Sequence, residues 1–239
     1  MIKEELIQRS PVRIFEKSIH GGLKAGEIGV IAAPSGIGKT SVLVQIALDK
    51  LLQGEKVIHV SFSQHTDYVL SWYEDIFDEF IWKKNLDHAK EVKDDLVKNR
   101  VILNFNQDGV TGDQILKSLK ALIMDGKFNA ASIIIDGFDF NRTVRERMDA
   151  IKASAQEMGL SIWYSCNVKE NEPGRQGLPL SLNDYADMLD VVIILEPKAD
   201  HIELSAVKDR NVTDLEHLAV KLDPRTLLIL KNEPFSKLC

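Results

Sequence analysis

At 239 residues, with 44% hydrophobic and 28% charged side chains, the chain has an ordinary globular composition and enough apolar material for a sizeable core. A formal net charge of -6 gives no bulk basic footprint for nucleic acid, so any such role has to rest on a local patch. The two cysteines, Cys166 and Cys239, make neither a disulfide framework nor a zinc-ligand spacing, and no apolar run approaches the roughly 20 residues that span a bilayer. The opening MIKEELIQRS has no apolar run behind its charges, unlike a signal peptide, so a cytoplasmic protein without membrane contact is expected.

Short β-branched runs alternate with longer stretches of helical periodicity, the pattern of an α/β fold with a largely parallel sheet. Residues 1–25 read as an N-terminal arm and a Gly-rich turn (Gly21, Gly22, Gly26), and residues 26–239 as one domain. The first strand is expected over Ile28–Ala32 and a helix over Thr40–Leu52, followed by a strand over Lys56–Phe62. Val69, Trp72, Tyr73, Ile76, Phe77 and Phe80 repeat at helical spacing within Tyr68–Phe80, which predicts a face turned to the core or to another subunit. Trp82 lies too far along to join Trp72 in one base-stacking platform. A solvated charged helix over Leu86–Lys98 and a short strand over Val101–Phe105 come next.

A helix over Asp113–Met124 leads into the most apolar strand, Ala131–Ile135, capped by Asp136. A helix over Val144–Met158 and a strand over Leu160–Cys166 precede the polar loop NVKENEPGRQGLPLS. The remaining strands are expected over Val191–Leu195, Ile202–Val207, His217–Leu222 and Thr226–Leu230, spaced as antiparallel hairpins.

The string APSGIGKT stands between the first strand and its helix, the context of a phosphate-binding loop. Ala33, Pro34, Ser35, Gly36, Ile37, Gly38, Lys39, Thr40 and Ser41 make up this loop and the first helical turn, and all but Pro34 carry a backbone N–H to offer a nucleotide. Such a loop wraps phosphate oxygens at the positive end of a helix. Lys39 is expected on the β- and γ-phosphates and the Thr40 hydroxyl on magnesium, which makes ATP with Mg2+ the expected ligand. Asp136, ending a buried strand, is the candidate second holder of magnesium, through water.

With its approach, FEKSIHGGLKAGEIGVIAAPSGIGKTSVLVQIA, the loop resembles the RecA-like P-loop ATPases, nearest to their KaiC and DnaB branches. Phe15 and Glu16 stand at the family's Leu-Asp place, Gly21, Gly22 and Leu23 match its turn, and Gly26 with Glu27 complete the pattern. GLPLSLNDYADMLDVVIILEP and AVKDRN resemble later DnaB-type segments, so the likeness covers roughly residues 12–212. The resemblance implies a RecA-like fold: a central, mostly parallel sheet flanked by helices on both faces, with C-terminal antiparallel strands. The strand after the Asp136 helix would lie between the loop strand and the Asp136 strand. It also implies a homo-oligomeric ring or filament with ATP or ADP at the subunit interface, and Lys208 and Arg210 reaching a neighbour's γ-phosphate.

Several positions depart from that pattern. The family's glutamate at the end of the second strand falls on Ser63 and Gln64, or on His65, and Gly137 follows Asp136 where other P-loop ATPases carry a carboxylate. Gln64 can orient a water and His65 can act as a base, with Asp67 and Asp139 as nearby substitutes. The family's polar sensor falls on Cys166, a small residue expected to be buried, with Ser165 and Asn167 beside it. The 167–181 loop balances Lys169 and Arg175 against Glu170 and Glu172, too little positive charge for a DNA channel. The expected function is a nucleotide-dependent switch with slow or partner-dependent ATP hydrolysis. The alternative is a DNA-dependent ATPase of the DnaB/RecA type in recombination, repair or replication. A nucleotide kinase is disfavoured, since no arginine-rich lid follows Asp136.

Overall fold

The computed structural model describes residues 2–62, 65–84, 90–106, 112–169, 177–212, 215 and 218–232. The helices are α1 (Ile2–Arg9), α2 (Val12–Ser18), α3 (Lys39–Leu52), α4 (Thr66–Lys84), α5 (Lys90–Lys98), α6 (Gly112–Lys120) and α7 (Arg145–Met158). The strands are β1 (Ile28–Ala33), β2 (Val57–Ser61), β3 (Arg100–Asn104), β4 (Ser132–Asp136), β5 (Ser161–Asn167), β6 (Val191–Pro197), β7 (Ile202–Asp209), β8 (Val220–Leu222) and β9 (Ile229–Lys231). They form one sheet in the order β3-β2-β4-β5-β1-β6-β7-β8-β9.

From β3 to β6 every pairing is parallel, and from β6 to β9 every pairing is antiparallel. β5 lies between β1 and β4, the order implied by the resemblance. The change of direction has a local cause. β6 and β7 are joined by a tight turn at residues 198–201, and two strands that share so short a link can only run antiparallel.

Parallel strands covered on both faces read as continuous apolar runs, and alternation then sorts their side chains between two cores. Ile31, Ile134 and Trp163 face a layer built from α1 to α5 and the β8–β9 hairpin. Val30, Ile133, Ile135, Ile162 and Tyr164 face α6, α7 and the 3-10 turn Leu180–Tyr185. Full burial of an Ile or Leu side chain stabilises by about 1.5–3 kcal/mol, so β4 with its three central isoleucines is a chief anchor of both layers.

Three expectations need correction in detail. Residues 1–25 hold two helices, α1 and α2, whose Leu6, Val12 and Phe15 are buried against the α3 side of the sheet. The helix expected to run to Met124 leaves the α form at Lys120 and finishes as a π turn over Ala121–Asp125. β8 keeps its expected end at Leu222 but starts at Val220, and β9 starts at Ile229 because Asp223 to Leu228 close the hairpin: the Leu227 N–H donates to the Asp223 carbonyl and the Asp223 N–H to that of Leu228. His217 lies outside the described residues.

The apolar stripe of α4 behaves as its spacing predicts. Val69, Tyr73, Ile76 and Phe77 are buried, Trp72 and Phe80 pack partly buried against them, and Trp82 stands in solvent.

Candidate functional site

β1, β4 and β5 are parallel neighbours, so their C-terminal ends share one edge of the sheet. Beyond Ala33 the chain turns through Pro34, Ser35, Gly36, Ile37 and Gly38 into the first turn of α3, whose unpaired N–H groups and positive dipole end suit an anion. Gly36 (φ +83°) and Gly38 (φ +106°) occupy the left-handed region. Gly38 answers a second demand, because a Cβ there would lie 2.7 Å from a methyl of Leu222.

Lys39 is 8% exposed, and its ammonium donates to the carbonyls of Ala33 at 2.9 Å and Pro34 at 2.7 Å. Burial lowers its pKa from the ordinary lysine value, while the nearby Asp136 and Cys166 oppose that shift. A cation held on neutral carbonyls can transfer to a more strongly charged acceptor.

Asp136 ends β4, 3% exposed, and both its oxygens are engaged. Oδ2 accepts from the Thr40 hydroxyl at 2.8 Å, across 96 residues of sequence, and Oδ1 accepts from the Ser165 hydroxyl at 2.6 Å. The Gly137 N–H donates to Ser165 Oγ at 2.7 Å. Thr40 and Asp136 are hard oxygen donors of the kind magnesium takes, with its other positions filled by phosphate and water. Among the described residues no group of three or more His, Cys, Asp or Glu side chains is placed to hold a metal alone. The residues present therefore fit a magnesium ion shared with a phosphate ligand, not an all-protein metal cage.

Ser41 has a different employment. Its buried hydroxyl donates to the Leu227 carbonyl at 2.5 Å, turning the side chain toward the C-terminal hairpin. Gln45, one turn on, donates to the same carbonyl at 2.9 Å and accepts the Ile229 N–H at 2.7 Å. Leu227 itself has φ +56°, a strained conformation for a leucine that these bonds hold in place. The start of α3 is thus latched to the hairpin, and Leu222 and Leu227 pack beside Gly38.

The remaining candidates separate. Gln64, with Ser63, lies outside the described residues. β2 itself ends at the same edge, since Ser61 pairs in register with Asp136. The His65 side chain is 81% exposed and pairs with Asp67 in solvent at 3.4 Å. Asp139 accepts from the Asn141 N–H at 3.0 Å, capping the short turn Phe140–Arg142. Cys166 is buried in the opposite core with Sγ 3.5 Å from Ser181 Oγ, whereas Asn167 ends β5 exposed, in register with Ala33.

Lys208 and Arg210 lie at the other end of the sheet, because β7 runs antiparallel to β6 and pairs Asp209 with Val191 at the start of β6. The Arg210 guanidinium donates to Glu27, to Asp209 and to the carbonyls of Ile19 and Gly22. Its hydrogen bonds to Glu27 raise its pKa further; burial works to raise Glu27, but Arg210 and the Lys24 N–H together outweigh it and leave that carboxyl lowered. Lys208 donates to the Ala186 carbonyl, and burial lowers its pKa against the pull of Asp190 and Asp187. Neither cation joins the loop of its own chain.

Three residues at the site carried no motif. Ser165 was legible in part, since strand alternation from Trp163 puts Ser165 and Asn167 on the α3 face and Cys166 on the other. Gln45 and Leu227 had no local signal, because their link spans 182 residues. No protein-family model matches the chain, and no curated protein matches it. Among the described residues no helix is long and apolar enough to cross a membrane.

Proposed function

We propose that this chain is a RecA-like ATP-binding protein of the KaiC/DnaB type that uses ATP with magnesium as a switch for assembly, with slow or partner-dependent hydrolysis. The observation that carries this reading is the Thr40–Asp136 hydrogen bond. Two strings that are separately common, a glycine loop before a helix and an aspartate after an apolar strand, meet at 2.8 Å on one edge of the sheet. A chance glycine turn has no reason to face a buried carboxylate.

On this reading the loop N–H groups hold the phosphates, and the Lys39 ammonium leaves the Ala33 and Pro34 carbonyls for the β- and γ-phosphate oxygens. Thr40 and Asp136 are the residues that would hold magnesium, which would supply positive charge to neutralise the phosphates. Slow turnover follows from the end of β2, where Ser63, Gln64 and His65 stand in place of a glutamate. A positioned acid–base group contributes about 10²–10⁴-fold, and its loss leaves binding intact. Assembly into a ring or filament rests on the resemblance. For Arg210 to reach a neighbour's phosphate, its guanidinium has to leave Glu27 and Asp209.

ATP affinity and turnover of the wild-type chain and of Lys39→Ala, with and without single-stranded DNA, test the reading. Tight Mg2+-dependent binding with turnover near background is expected. DNA-stimulated turnover that Lys39→Ala abolishes would replace the switch by the DNA-dependent ATPase. No ATP binding by the wild-type protein would end both.

A further inference from the structure

We propose that Ser165 is the positioning residue that orients the Asp136 carboxylate toward magnesium, an inference that rests on the nucleotide-binding reading above. The register of β4 and β5 sets Ile135 beside Tyr164, so the next residues, Asp136 and Ser165, are neighbours on the same face. Both are buried, at 3% and 2% exposure.

The direction of the Ser165 proton follows from its partners. A serine hydroxyl has a single hydrogen to donate, and its oxygen already accepts the Gly137 N–H at 2.7 Å. The proton therefore points at Asp136 Oδ1, 2.6 Å away. Aspartate χ2 is broad and roughly two-fold, so a carboxylate at a strand end needs an external contact to fix its plane. Ser165 supplies that contact on one oxygen and leaves Oδ2 facing Thr40 at 2.8 Å. The division of labour is clear: Oδ1 is held by the protein, and Oδ2 is presented beside the Thr40 hydroxyl. Groups that hydrogen-bond a metal-holding carboxylate in this way fix its geometry and its basicity. Ser165 itself does not touch the ion or the nucleotide.

The test is ATP binding by the full chain, measured without metal and as a titration with MgCl2. For Ser165→Ala, metal-free ATP affinity stays within about twofold of wild type, while the Mg2+ midpoint rises about 10-fold, the lower end for loss of such a contact. Ser165→Thr keeps the hydroxyl and restores the wild-type midpoint. A purely structural role would weaken metal-free binding and Mg2+-dependent binding alike, and that result overturns the proposal. An unchanged Mg2+ midpoint in Ser165→Ala, or an equal rise in Ser165→Thr, overturns it too. If Ser165→Ala melts below the assay temperature, the Ser165→Thr midpoint decides alone: wild-type-like supports, raised overturns. Lys39→Ala, run in parallel, separates the two levels: ATP binding unaffected by Lys39→Ala refutes the site itself, not the role of Ser165.

Discussion

The two ends of the same sheet treat their cations differently. At the C-terminal ends of β1 and β4, Lys39 is held by the carbonyls of Ala33 and Pro34, neutral acceptors that a phosphate oxygen outcompetes. At the opposite end, Arg210 is held by the carboxylates of Glu27 and Asp209, with His20 on the far oxygen of Asp209 and the Ile28 N–H bonded to Asp190 close by. Charge-assisted pairs of this second kind fix chain segments to one another. The difference teaches that the strength of a cation's resting partners decides how readily it can be exchanged: carbonyls hold Lys39 more loosely than carboxylates hold Arg210.

The contrast breaks most sharply if each cation is removed in turn. Lys39→Met is expected to weaken ATP binding about 100-fold, the loss of about two charge-assisted hydrogen bonds, with little change in urea midpoint. Arg210→Met should do the reverse. It leaves Glu27 and Asp209 without their guanidinium and is expected to cost about 2–3 kcal/mol in urea unfolding, below the range for fully buried pairs because Arg210 and Glu27 keep 18% and 17% exposure. ATP affinity of the folded protein should be unchanged. Loss of ATP-dependent assembly by Arg210→Met, under conditions where the chain stays folded, would give Arg210 a second duty in trans.

A smaller effect tests the link between the loop and the C-terminal strands. Gln45→Ala removes the acceptor of the Ile229 N–H and one donor to Leu227, at an expected cost of about 1–2 kcal/mol. Amide exchange at Ile229 should speed up well before that of β4. Equal acceleration in both would show that the hairpin has no independent opening.

Acid separates the two ends last and most gently. His59, fully buried on β2 with Nδ1 3.1 Å from the Tyr73 hydroxyl, has its pKa pushed down to about 4 by burial, against Asp136 and with help from Arg100. The unfolded chain, with an ordinary histidine near 6.5, therefore takes up this proton first. The contribution is whole above pH 6.5 and is lost as pH falls toward 4. Glu27, whose carboxyl is lowered in the fold, adds its own loss further down, below its ordinary value of 4.5. Melting temperatures from pH 7 to 4 should fall less steeply in His59→Gln than in the wild type; parallel curves would remove His59 from the account.

Much of this arrangement is written locally. β1, α3, β4, α7 and β5 lie within about two residues of where apolar runs and turn residues put them, as strong periodicity allows. The loop from Ala33 to Thr40 and the capping Asp136 are legible because glycine positions and a polar residue after an apolar strand leave a local trace. α1 and α2 leave little trace. They are eight and seven residues long, too short to be stable alone, and exist because Leu6, Val12 and Phe15 find the core. β9 starts late for a related reason: Leu227, in the turn before it, takes a strained backbone whose carbonyl is held by Ser41 and Gln45, far away in the chain.

By itself, then, the sequence determined the α/β class, the glycine loop opening a helix, and the acidic end of the most apolar strand. Each depends on neighbours within a few residues, where sterics and periodicity act directly. The tertiary structure alone decided that Asp136 meets Thr40, that Ser165 fixes its other oxygen, that Ser41 serves the hairpin, and that Arg210 closes an ion-pair network at the opposite end. Those pairings depend on strand order and register, which bring together residues separated by tens to nearly two hundred positions. No local pattern encodes such a distance.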